Sequence, residues 1–280
     1  MKNSFKLLFL ILVGFFSNYS CFSQDKSLHK VVYQFDMVRD TLSMELFRQE
    51  LYIVQIGNGI TKGFTYQKFY LDSLKAHDPN LYHKLFSASV QESIEEWKRT
   101  GDISHVRNSK FHSGPFTSVI HKDYRKNEIR IQNNIQTQNF IYTDELKPQE
   151  WEILSDTAII LGYLSQKARC HFRGRDYEAW FTTEIPISEG PWKFHGLPGL
   201  ITKIHDTKNH YRFVLAGFQK NEEPIDTNIP RNARKIERGE FLRAKFGEQG
   251  EMVSNLEMTT VGLPSNSAVE RNFDYIELDH

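Results

Sequence analysis

The sequence predicts an α+β chain that is mainly antiparallel β. The expected form is a strongly curved sheet or incomplete barrel, with one long helix packed on it and a short C-terminal helix. Three observations carry this. Alternation with a period of two recurs along the chain, most clearly from Tyr177 to Ile185. Short corners built on glycine and proline join these runs, as antiparallel neighbours allow and parallel crossovers do not. One segment, 79–100, carries a strong helical stripe.

The chain opens with Lys2 and Lys6 before an apolar run, Leu7 to Phe16, and a polar, small-residue stretch, Asn18 to Ser23. This is the layout of a secretory signal peptide, with an apolar core too short to span a bilayer. The expected cut follows Ser23 and leaves Gln24 first, so the mature protein is periplasmic or extracellular. Asn18-Tyr19-Ser20-Cys21 lacks the aliphatic residue that opens a lipidation box, so a lipoprotein is not expected. The mature part, 24–280, reads as a single β-rich domain.

The full chain has 35 basic and 35 acidic residues, and loss of Lys2 and Lys6 leaves 33 against 35. No global field draws nucleic acid or an anionic membrane. Cys170 is the sole cysteine left after Cys21 is removed, so no internal disulfide can form. The thiol is expected to be buried; an intermolecular bridge or a reactive group are the alternatives.

Val31 to Phe35 begins the strands, Met44 to Ile56 is a long one, and Gly57-Asn58-Gly59 is a hairpin turn. Phe64 to Tyr70 alternates and predicts another strand. Asp78 is a helix N-cap with Pro79 at the first helical position. Tyr82, Phe86, Val90, Ile94 and Trp97, widened by Leu81 and Leu85, form a stripe expected to pack on the sheet. Gly101 is its stop. Val119–Tyr124 and Glu128–Ile131 form a hairpin, Phe140–Tyr142 a short strand, 147–151 a corner, and Ile159–Cys170 a strand. Asn221 to Asn232 is a linker or long loop. Arg234 to Phe246 is a basic, helix-permissive segment with Ile236, Phe241 and Leu242 as apolar points. Short strands are expected near 252–261 and 273–278.

The chain is organised around 174–204. Tyr177, Ala179, Phe181 and Ile185 should face the core, with Trp180 on the opposite face beside Glu178 and Glu184. Pro186 ends the strand. Gly190-Pro191 fixes a corner, and Leu197-Pro198-Gly199-Leu200 has the composition of a type II turn. Gly196 is expected where backbone passes close.

The hexapeptide Gly196-Leu197-Pro198-Gly199-Leu200-Ile201 resembles the name-giving motif of the GLPGLI family of Bacteroidetes envelope proteins. Ala179-Trp180, Glu184-Ile185-Pro186, Gly190-Pro191, Gly162-Tyr163 and Lys167-Ala168 are similar to its upstream blocks. Ser165 stands where the pattern often carries cysteine. The resemblance implies a secreted or periplasmic protein and supplies no reaction.

No HExxH, CxxC, paired His-x-His, GxSxG or phosphate-binding glycine loop is present. No cofactor is expected. Three readings of function remain. The first is a non-enzymatic envelope protein that binds a peptide, a lipid, or a periplasmic or outer-membrane partner protein in an aromatic-lined inner groove. Its contact candidates are Trp180, Glu184, Trp192 and His195. The second is an enzyme with a dispersed site near Trp180, Glu184 and His195. The third is a metal-handling protein in which His171, His195 and His205 converge, with Cys170 or Glu184.

Overall fold

The structure, a computed structural model, describes residues 25–40, 45–100, 117–135, 138–245 and 276–277. The leader, Cys21, Gly101 and the expected strand near 252–261 lie outside the described residues, as does all but 276–277 of the one near 273–278. Alternating sequence becomes strand almost throughout. The strands are β1 (Ser27–Asp40), β2 (Glu45–Gly57), β3 (Ile60–Thr65), β4 (Val119–Asp123), β5 (Glu128–Ile135) and β6 (Gln138–Glu145). They continue as β7 (Glu152–Ile160), β8 (Tyr163–Phe172), β9 (Arg175–Thr182), β10 (Leu200–Asp206), β11 (Tyr211–Lys220) and the two-residue β12 (Arg234–Lys235).

All twelve join one open sheet in the order β12-β6-β5-β4-β3-β2-β1-β11-β10-β9-β8-β7. Every pairing is antiparallel except β12 with β6. Tight hairpins join β7 to β8 and β8 to β9. Their turn residues, Leu161-Gly162 and Arg173-Gly174, all have positive φ, as a two-residue turn between twisted strands requires. The sheet curls: Ile129, Ile131 and Tyr142 from one arm share a single apolar core with Tyr177, Ala179 and Phe181 from the other.

The helical part differs from expectation. α1 (Tyr66–His77) occupies what the alternation of 64–70 predicts as strand. The Thr65 side chain accepts the N–H of Lys68 and caps a helix there. Tyr66 and Tyr70 then stack one turn apart, at 6.4 Å. α2 (Pro79–Thr100) starts as predicted, with the Leu81 N–H donating to Asp78 Oδ1. It packs mainly against α1 and not on the sheet. Leu81 and Phe86 are 40% and 41% exposed, and Ser93 is its one buried residue among those described. A short helix over 238–245, α3, buries Phe241 against Phe140 and Tyr142.

Residues 221–232 form a strap bound along its length rather than a free linker. His121 Nε2 reaches the Asp226 carbonyl at 3.1 Å. Arg130 donates to the Thr227 carbonyl, Gln132 to that of Asn228 and Gln138 to that of Asn232. Ile225 is buried, and its N–H donates to Asp25 O at 2.7 Å.

Candidate functional site

Between β9 and β10 the chain leaves the sheet at Thr183 and returns at Leu200, and in between it fills the interior of the curl. Pro191 through His195 are all buried. Local bonds shape the loop. Glu189 N–H donates to Ile187 O, Phe194 N–H to Pro191 O and Gly199 N–H to Leu197 O. The Leu200 N–H goes to Ile185 O, and the Gly199 φ of +159 is far from the roughly +80 that a type II turn needs there, so the expected type II turn over 197–200 does not form. Gly199 sits at φ +159, and a Cβ there would lie 2.0 Å from the Thr182 carbonyl oxygen. Close passage of two backbones therefore demands the glycine. Gly196, at φ +96, would drive a Cβ to 2.5 Å from the Pro148 side chain. A Cβ on Gly190 would meet Ile201 at 2.6 Å. The hexapeptide and Gly190-Pro191 thus serve the fit of this loop.

Its polar anchors come from the far arm. Lys122 on β4 is buried, and its Nζ donates to Glu189 Oε2 at 2.7 Å, Gly190 O at 3.1 Å and Phe194 O at 2.6 Å. Those bonds use all three ammonium donors. Tyr124 donates its hydroxyl to the other Glu189 oxygen. Burial lowers the Lys122 pKa, and Glu189 opposes that shift. Lys193 bridges Asp144 and Glu277, each at 2.6 Å. Gln149 bonds Lys193 O and the His195 N–H, and Trp151 donates to His195 O, so the 147–151 corner clasps the loop.

His195 is 4% exposed. Its imidazole pKa is pushed down to about 3, first by burial and then by the nearby Lys122 charge. Its Nε2 has no hydrogen-bond partner among the described residues. Trp192, at φ 52, packs on Phe172 and Phe194. The aromatic-lined inner groove expected from sequence is therefore occupied by the protein's own aromatics.

The other candidates lie elsewhere. Trp180 is half-buried on the outer face of the sheet, stacked on His205 at 5.6 Å. Lys167 Nζ and Lys203 Nζ stand 5.2 Å and 4.6 Å from its ring. Lys167 is paired with Glu178; Lys203 has no ion-pair partner among the described residues. Glu184 is exposed and accepts the Leu164 N–H. Trp180, Glu184 and His195 thus share no pocket. The three histidines do not converge either. His171 pairs with Asp176 on the outer face, His205 lies under Trp180, and His195 is inside. Among the described residues no group of three or more His, Cys, Asp and Glu could hold a metal ion. Cys170 is buried, and its thiol pKa is pushed up to about 12, mainly by burial. Sequence reasoning missed Lys122. Its signal was a lysine two residues after Ile120, in the apolar phase of the strand.

Fold and site together define an α+β protein with an open, curled antiparallel sheet whose interior is filled by its own loop. A family model described as "Protein of unknown function (Porph_ging)" matches residues 171–203, which hold β9, the filling loop and the hexapeptide. Two solved structures of PNGF-II are similar in fold. One, in the P21 space group, gives a TM-score of 0.51 at 16% identity over 79% of this chain and 34% of that one. The other, in the C2 space group, gives 0.51 at 15% identity over 79% and 33%. This chain therefore spans about a third of the PNGF-II chains, and at such identity the likeness shows the fold alone. No curated protein matches.

Proposed function

We propose that this chain is an exported, GLPGLI-type envelope protein that binds a partner without catalysis, through the outer face of the sheet around Trp180. The observation that carries this is a half-buried indole beside the ammonium of Lys203, which has no ion-pair partner among the described residues, on rigid neighbouring strands. The buried ionisable groups of the interior are closed to a substrate, which turns the reading away from the dispersed enzyme site. The hexapeptide within the matched 171–203 segment supports the family reading, and the 1–23 leader supports export.

Incorporating a photo-crosslinking amino acid at position 169, exposed on the same outer face, in the native host envelope, tests the binding reading. A discrete adduct should form from 169 and not from the exposed position 220, and Trp180→Ala or Lys203→Ala should abolish it. Equal labelling from both positions would sink the assignment. N-terminal sequencing of the mature protein should begin at Gln24; a chain that keeps residues 1–23 in the cytosol would refute export.

A further inference from the structure

β7 closes one edge of the sheet and is bonded on one side only, to β8. Edges are normally blunted by lysine, proline or a covering segment. β7 carries neither residue, and among the described residues no segment pairs with its free side. Besides the charges of Glu152 and Asp156, it is interrupted by an irregularity between Ile153 and Thr157, after which pairing runs regularly from Thr157 to Ile160.

The hairpin formed by β7 and β8 also projects past the core. Ile159 and Leu164 oppose each other across it and are 76% and 59% exposed. They lie on the face that carries Ala168, which is fully buried nearer the centre. Thr157 and Gln166 stand between Ala168 and this pair, so Ile159 and Leu164 form a separate apolar patch at the edge, uncovered by any described residue. Charge at the edge has one sign: Glu150, Glu152 and Asp156 are exposed, and β7 holds no cation. Arg169 engages Glu152, whereas Asp156 has no ion-pair partner among the described residues.

We propose that β7 receives an extended peptide segment of another protein as an added strand. Its aliphatic side chains cover Ile159 and Leu164, and basic side chains on its other face meet Asp156 and Glu152. Main-chain bonds supply the attachment, and alternate side chains the selectivity. A second copy fits less well. The antiparallel register that sets Ile153 against Ile159 of another copy also sets Asp156 against Asp156, and like charges directly opposed repel. This site lies apart from Trp180 and does not depend on the outer-face reading.

Fluorescence anisotropy with the mature chain tests the proposal. The probes are a short labelled peptide of alternating valine and lysine and its valine–glutamate counterpart. The lysine peptide should bind about tenfold tighter, since several cross-strand pairs change sign together. Thr157→Pro, which removes an N–H that points to the free side of the edge, should lose binding, with its fold checked by thermal melting. Asp156→Lys, an exposed change that leaves the backbone alone, should invert the preference. Equal binding of the two peptides, or no response to Asp156→Lys, would overturn the assignment. A dimer in sedimentation that Asp156→Asn strengthens would also overturn it, by giving the edge to a second copy.

Discussion

Lys122 Nζ lies 2.7 Å from Glu189 Oε2, with both side chains almost wholly withdrawn from water. The two belong to opposite arms of the curl, so the pair ties the loop that fills the interior to the strand that faces it. Lys122→Met leaves a buried carboxylate without its counter-charge and two carbonyls without their donor. The expected loss is about 3–5 kcal/mol, read from urea unfolding. Adding Glu189→Gln should restore a part of it; a single variant within about 0.5 kcal/mol of wild type would contradict the structure.

Two glycines with positive φ should answer differently to alanine. At Gly199 the new methyl meets the Thr182 carbonyl, a rigid backbone atom. Gly199→Ala is expected to cost about 3 kcal/mol or more. At Gly162, φ +84, no atom lies within 4 Å of the added Cβ. Only the left-handed conformation penalises Gly162→Ala, by about 1 kcal/mol. Paired denaturation curves check the ranking, and equal losses would remove the close-approach argument.

Stability should fall on acidification through two buried histidines. Burial holds the His121 pKa down at about 4 and that of His195 at about 3. Above about pH 6.5 both are neutral whether the chain is folded or not. Below that, the unfolded chain takes up protons that the folded one refuses. Each histidine then subtracts up to about 1.4 kcal/mol per pH unit until its folded pKa is reached. His195→Gln should flatten the slope between pH 6 and pH 4, measured by denaturant titration at each pH. An unchanged slope would show that His195 is not buried in its neutral form.

Cys170 should be inert in the native chain. Its thiol is buried and held near a pKa of about 12, so almost none is thiolate at neutral pH. Reaction with a disulfide reagent should be slow under native conditions and fast in urea. Rapid native modification would contradict the burial.

Much of the sheet was legible because its faces differ. Tyr177, Ala179, Phe181 and Ile185 read as core-facing from a period of two, and all four are buried. The same rule failed where both sides of a segment are enclosed. Trp192 to His195 alternates in sequence, yet all four residues are buried, because a loop threaded through the interior has no solvent face to mark. It failed again at Tyr66 to Tyr70, where a short alternating run also satisfies helical spacing and a threonine cap decided the outcome. The strap was invisible for a third reason. Side chains of distant strands hold its carbonyls, and that pattern leaves no periodicity in 221–232. Of the candidate contacts, Trp180 was placed correctly opposite the core, while Trp192 and His195 are interior packing.

β1 sits at the centre of the sheet, between β2, which follows it at once, and β11, which is synthesised some 180 residues later. Until residue 211 emerges, one flank of the first strand stays bare through Val31, Tyr33 and Phe35. Under the export proposed above, a chain carried across a membrane N-terminus first reaches the far side sticky and half-made. Such a protein selects for escort by a holding chaperone during transit, and a version cut short before β11 is destined for proteolysis or aggregation.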